Sequence, residues 1–179
     1  MLGLVFLGGL FLVDSNEASA ASLFRLYNPN TGEHHYTLNG NERNHLATVG
    51  WNYEGVAWET PATGTPLQRV FNPNNGGDHH YTINVNEVNM LKGVGWNHEG
   101  VAWQSGGSAP VHRLYNPNAK TGTHHYTLDE NERDNLTKAG WKYEGIAFYA
   151  VGKSTSGNAS GIENSPGGKD SLYEMGPWQ

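Results

Sequence analysis

The chain carries three His-His-Tyr-Thr segments, His34–Thr37, His79–Thr82 and His124–Thr127, with the first histidine of each 45 positions from the next. On a β-strand neighbouring side chains face opposite ways. His34 and Tyr36 therefore share one face, and His35 and Thr37 the other. A histidine on the buried face hydrogen-bonds a carbonyl or carboxylate and stays neutral, and this is the favoured reading. The other chemistry open to such a set is metal. Around a threefold axis, His34, His79 and His124, or His35, His80 and His125, would give a three-histidine zinc site with an open position. Bonds of about 2.1 Å would require them to converge closely. The helical HExxH spacing is absent. No cofactor is expected, with zinc as the alternative.

Carboxylates recur as well. Glu54, Glu99 and Glu144 each precede a glycine, and Glu42, Glu87 and Glu132 each follow an Asn or Asp by three residues. A glycosidase needs two carboxylates roughly 5 to 9.5 Å apart in one cleft. The second set reads as the Glu of a capping box, reaching back to a helix start, which leaves one carboxylate per copy. Active sites are single and asymmetric, whereas every candidate here occurs three times. Binding is therefore the expected role and catalysis the alternative, as a wall-lytic hydrolase or bacteriocin-like protein using repeated His and Glu. A protein-binding structural repeat is the third class. With no cysteine in the chain, disulfides, thiolate metal sites and cysteine nucleophiles are excluded. No serine-nucleophile motif, phosphate loop or dinucleotide fingerprint occurs. Asn135 and Asn158 begin glycosylation sequons, which matter only in a eukaryotic secretory pathway.

Aromatic residues give the strongest functional hint. Tyr27, Phe71 and Tyr115 are equivalent, as are Trp58, Trp103 and Phe148. Some must be core, yet there are more than one small core needs. Rings beside amide and carboxylate groups suit a sugar: the ring face stacks on C–H bonds while polar groups take the hydroxyls. The candidate ligand-binding set is His34, Tyr36, Trp51 and Glu54, with His79, Tyr81, Trp96 and Glu99, and His124, Tyr126, Trp141 and Glu144. Three shallow sites on one body would hold a polysaccharide or peptidoglycan by avidity.

The elements that position these residues come from a repeat of about 45 residues, spanning 23–58, 67–103 and 111–148. Each copy reads as strand, turn, strand, helix, strand. Asn28-Pro29-Asn30-Thr31-Gly32 is turn chemistry. Asn39, Asn84 and Asp129 are helix caps, Leu46 and Val49 mark the apolar face of the first helix, and Gly50, Gly95 and Gly140 sit where a left-handed C-cap belongs. One copy has too little core to stand alone, and three can close around an axis and hide each other's edges. The predicted fold is mainly β with three short helices, in closed pseudo-threefold symmetry, β-trefoil-like or small propeller-like, and monomeric.

The remaining features set the context. Leu2 to Val13 is apolar and uncharged and is followed by Ala18-Ser19-Ala20. This reads as a secretory signal peptide over 1–20, too short for a membrane span, although no Lys or Arg precedes it. A single domain over 21–151 follows, and the Gly- and Ser-rich stretch 152–179 reads as a flexible tail or linker. The net charge of -6 and the lack of a basic run argue against nucleic acid.

The NPNTGEHHYT and GWNYEGVAW segments resemble a family of bacterial secreted tandem repeats of unknown function, DUF5648. Its pattern runs roughly R-L-Y-N-P-x-T-G-x-H-x-Y-T, then E-R-x-x-L-x-x-x-G-W-x-x-E-G. The resemblance covers about Leu23 to Val151. It implies an exported module, often appended to cell-wall hydrolases, that targets a partner enzyme to the envelope. The second copy departs from the pattern: Val88 replaces Arg43 and Arg133, and His98 replaces Tyr53 and Tyr143. If each copy holds a site, the middle one is the odd one.

Overall fold

The structure is a computed structural model that describes residues 20–74 and 76–154. Residues 1–19 of the expected signal peptide and all but the first residues of the expected tail lie outside the described residues.

Each repeat forms one three-stranded antiparallel sheet with a helix. The first holds β1 (Ala21–Tyr27), β2 (His34–Thr37), α1 (Gly40–Thr48) and β3 (Asn52–Thr60). The second holds β4 (Thr65–Asn72), β5 (Asp78–Thr82), α2 (Val85–Gly93) and β6 (Asn97–Ser105). The third holds β7 (Ala109–Tyr115), β8 (His124–Thr127), α3 (Glu130–Lys138) and β9 (Lys142–Ala150). The sheet orders are β2-β1-β3, β5-β4-β6 and β8-β7-β9, so the first strand of each copy is central. The three sheets are separate. Among the described residues the three sheets form a pseudo-threefold arrangement and do not close into one continuous barrel.

Closure comes from a core on the pseudo-threefold axis. Leu23, Leu67 and Val111, then Trp58, Trp103 and Phe148, then Tyr36, Tyr81 and Tyr126 belong to one buried cluster. Each tyrosine stacks on or tilts against the large ring of its own copy, at 5.4, 5.1 and 5.8 Å between centroids. The three tyrosines meet edge to face at 5.5 to 5.8 Å, the arrangement that ring quadrupoles favour. Their hydroxyls bind across copies. Tyr36 donates to the Tyr126 carbonyl and accepts the Tyr126 N–H. Tyr81 does the same with Tyr36, and Tyr126 accepts the Tyr81 N–H. A ring of side chains thus supplies backbone partners that a continuous sheet would otherwise provide. The ring is completed at the surface, where Glu59 and residues 151–152 exchange backbone hydrogen bonds.

The local signals act largely as expected. The side chains of Asn39, Asn84 and Asp129 accept the first free N–H groups of the helices. Gly50, Gly95 and Gly140 have φ near 100°, and the N–H groups of Trp51, Trp96 and Trp141 reach back to Leu46, Leu91 and Leu136, closing the helix ends in the Schellman manner. Two expectations are corrected. Val49 caps α1 and is exposed, so it is not part of an apolar face. Glu42 does not reach back to its cap: the Asn39 N–H goes to the Thr37 hydroxyl instead, which leaves the Glu42 carboxylate for other partners.

Candidate functional site

The residues with ionisable chemistry gather at the three seams between repeats. At the seam between the second and third copies, Arg113 Nε lies 2.8 Å from Glu144 of its own copy, and its Nη1 lies 3.1 Å from Glu87 of the second. His124 stands 3.5 Å from Glu144, and His80 stands 3.2 Å from Glu87. The two imidazoles meet edge to face at 4.5 Å. The same five residues recur at the other seams. Arg69, Glu99 and His79 face Glu42 and His35. Arg25, Glu54 and His34 face Glu132 and His125. Every seam is therefore an arginine bridging two carboxylates from different repeats, over a pair of packed histidines.

Local backbone features aim these groups. Arg25 pairs with Gly55 and Leu26 with Tyr53, so Glu54 is the extra residue of a β-bulge. Gly55, Gly100 and Gly145 all sit at φ between 92° and 98°, a conformation that costs a side chain strain. The Glu-Gly dipeptides thus turn Glu54, Glu99 and Glu144 onto the arginines. Glu42, freed from capping, is held by the Thr37 hydroxyl. Trp51, Trp96 and Trp141 back the inner histidines His35, His80 and His125 at 5.9, 6.4 and 6.3 Å.

The electrostatics keep Glu42, Glu87, Glu132 and Glu144 ionised. The His35 ring beside Glu42 is the main cause of its fall to about 2, with Thr37 and Arg69 adding to it. Burial raises the carboxyl of Glu87, but His80, Thr82 and Arg113 outweigh it and bring it to about 2. Glu132 is likewise driven down against burial by His125 and Arg25, and Glu144 is lowered chiefly by His124. Burial lowers His35 and His80, and it lowers His34 strongly, with His125 and Arg25 adding to the effect. These carboxylates are acceptors at neutral pH, not proton donors. That is the wrong poise for the general acid of a glycosidase, whose pKa must be raised.

A shallow cleft of about 170 Å³ opens over the seam between the second and third copies, lined by Thr82, Ile83, Asn84, Glu87, Arg113, Glu144, Ile146 and Ala147. The side chains on its floor are 20 to 31% exposed, so they are both ordered and reachable.

The predicted site residues divide accordingly. His34, His79 and His124, with Glu54, Glu99 and Glu144, come together at the seams. Tyr36, Tyr81 and Tyr126 do not: they lie buried on the axis, with their faces against other rings. Trp141 is also buried, while Trp51 and Trp96 are partly exposed behind the histidines. Among the described residues neither His34, His79 and His124 nor His35, His80 and His125 gather into a metal-holding trio; each outer ring instead packs on the inner histidine of the neighbouring copy. Sequence reasoning missed Arg25, Arg69 and Arg113, the partner role of Glu42, Glu87 and Glu132, and the inner histidines as members of the seam. Recurrence of each arginine at the same place in its repeat was the available signal.

The odd second copy is explained away from the seams. Arg43 stacks on Phe24 and Tyr53, and Arg133 lies over Tyr143. In the second copy Val88 is buried at the corresponding place, and His98 hydrogen-bonds Gln68. Both exchanges repack the outer face under a helix and leave the five seam residues intact.

No helix among the described residues is long and apolar enough to cross a membrane. No curated protein and no solved structure matches the chain. One family model, described as a domain of unknown function, does match, over residues 22–151, which is the whole three-repeat body with its seams. The chain therefore belongs to the DUF5648 family.

Proposed function

We propose that the protein is a carbohydrate-binding module, exported by a bacterium and directed to a cell-envelope or other polysaccharide, with one subsite at each seam. The observation that carries this reading is the threefold recurrence of a mostly buried arginine, 12 to 22% exposed, held between two carboxylates from different repeats. Such a floor offers fixed donors and acceptors for vicinal hydroxyls, and Ile83, Ile146 and Ala147 offer apolar contact for ring C–H groups. The cleft is smaller than the roughly 300–1,000 Å³ of a typical ligand pocket, which suits one sugar of a chain. Three such subsites on one rigid body favour a repeating polymer over a free monosaccharide, because avidity multiplies weak contacts. The axial tyrosines offer no stacking platform for a sugar, because their faces pack on other rings.

The test is retention of the protein on purified peptidoglycan and a panel of insoluble polysaccharides. Firm retention on one of them, with only weak and rapidly exchanging binding of its monosaccharide, is the expected result. Absence of retention on every glycan would overturn the reading and favour a protein partner.

A further inference from the structure

The three seams are not identical at their inner end, and the difference lies in the residue before each His-His pair. In the first copy it is Glu33, in the second Asp78 and in the third Thr123. Glu33 is 4% exposed and reaches across to the second copy, where its Oε1 lies 2.6 Å from His79 Nδ1 and accepts the His79 N–H. Asp78 spends its oxygens on the N–H groups of Gly122 and Thr123 and on the Thr123 hydroxyl. Thr123 brings no carboxylate to the third seam, and the buried His34 Nδ1 there has no hydrogen-bond partner.

We propose that Glu33, His35 and His79 form a binding site for one divalent transition-metal ion, at the first seam alone. A carboxylate oxygen of Glu33 and one nitrogen from each histidine lie within 4.8 Å of one another, the only such group among the described residues. Two histidines and a glutamate are a ligand set that zinc takes with a position left open. The outer nitrogens are also provided for. His35 Nε2 stands 3.3 Å from Glu42, and His79 Nε2 stands 3.5 Å from Glu99. Arg69 Nη1 also lies 3.4 Å from His35 Nε2, and the inner nitrogens, His35 Nδ1, 3.3 Å from the Tyr81 hydroxyl, and His79 Nδ1, beside Glu33, are the ones proposed for the metal. A carboxylate behind each metal-binding histidine fixes its tautomer and raises its basicity. On binding, the His79 ring proton shifts to Nε2, toward Glu99, or is released. The third seam has one fewer carboxylate, and at the second the shorter Asp78 is already engaged.

Zinc titration of the metal-stripped full chain, followed by calorimetry and by elemental analysis after gel filtration, tests the proposal without any glycan. The expected result is one zinc per chain and a raised melting temperature. Glu33→Gln and His79→Gln are each expected to weaken zinc binding more than about tenfold, whereas His124→Gln, at the matching place in the third copy, keeps it. Circular dichroism in chelator checks that the variants fold. For the unaltered chain, no bound zinc or three equivalents of it would overturn the proposal, whether or not the variants fold. Binding undiminished in folded Glu33→Gln would overturn it too.

Discussion

The seam histidines are where pH acts on single residues. Burial lowers His34, His35 and His80 below their ordinary value of 6.5, so in acid the unfolded chain binds protons that the folded chain refuses. Their contribution to stability is complete above pH 6.5 and declines as pH falls below it, by at most about 1.4 kcal/mol per pH unit for each histidine. Glu42 and Glu87, held near 2 against an ordinary 4.5, add a second loss in the same direction as pH falls from 4.5 toward 2. Urea unfolding at a series of pH values should therefore show stability dropping from pH 7 to 5 and again below 4.5. A stability that rises on acidification through 6.5 would contradict this account of the seams. The axial tyrosines give a second prediction. Tyr36→Phe strands a buried N–H and carbonyl of Tyr126 and is expected to cost about 1–3 kcal/mol, measurable by the same unfolding curves.

Individual elements are short and depend on their ends. Asn84→Ala removes the acceptor for two helix N–H groups and is expected to cost about 1 kcal/mol. Glu42→Gln should leave the helix content of α1 unchanged in circular dichroism, because Asn39 and not Glu42 does the capping. The bulge in each last strand is more sensitive. At Gly145 a Cβ would meet nothing within 4 Å, so Gly145→Ala is resisted by backbone conformation alone. A cost of roughly 1–2 kcal/mol is expected from denaturant unfolding, with Glu144 drawn off Arg113. Elements were the part most legible in the sequence. Asn caps, glycine C-caps and the Asn-Pro turn act within a few residues, so their chemistry can be read along the chain. The seam was not legible in the same way. Arg25 meets Glu132, and His35 meets His79, through the angle at which one repeat packs on another, which no local pattern encodes. The capping-box spacing of Glu42 was misleading for a related reason: a tertiary partner, Arg69, and a nearby hydroxyl, Thr37, outcompeted the helix end.

The whole molecule is held by groups that no single repeat possesses. Each axial tyrosine finds its hydrogen-bond partners in another copy, and each arginine bridges two copies, so stability is shared around the ring. A chain lacking the third repeat is expected to lose cooperative unfolding and near-ultraviolet circular dichroism altogether, not one third of each. The repeat and its period were plain in the sequence, and so was the threefold closure, because a unit this small cannot bury its own aromatic residues. That six of the aromatic rings fill the axis, leaving a polar seam as the candidate binding surface, needed coordinates. Three seams that share the same arginine and carboxylate floor are proposed to act together on a polymer. The most direct measurement is glycan retention as the seams are disabled one at a time by Glu54→Gln, Glu99→Gln and Glu144→Gln, singly, in pairs and together, in variants whose melting curves show a folded state. The account predicts that each added substitution weakens retention by a large factor and that the triple variant is not retained. Retention by the triple variant equal to that of the unaltered chain would contradict it.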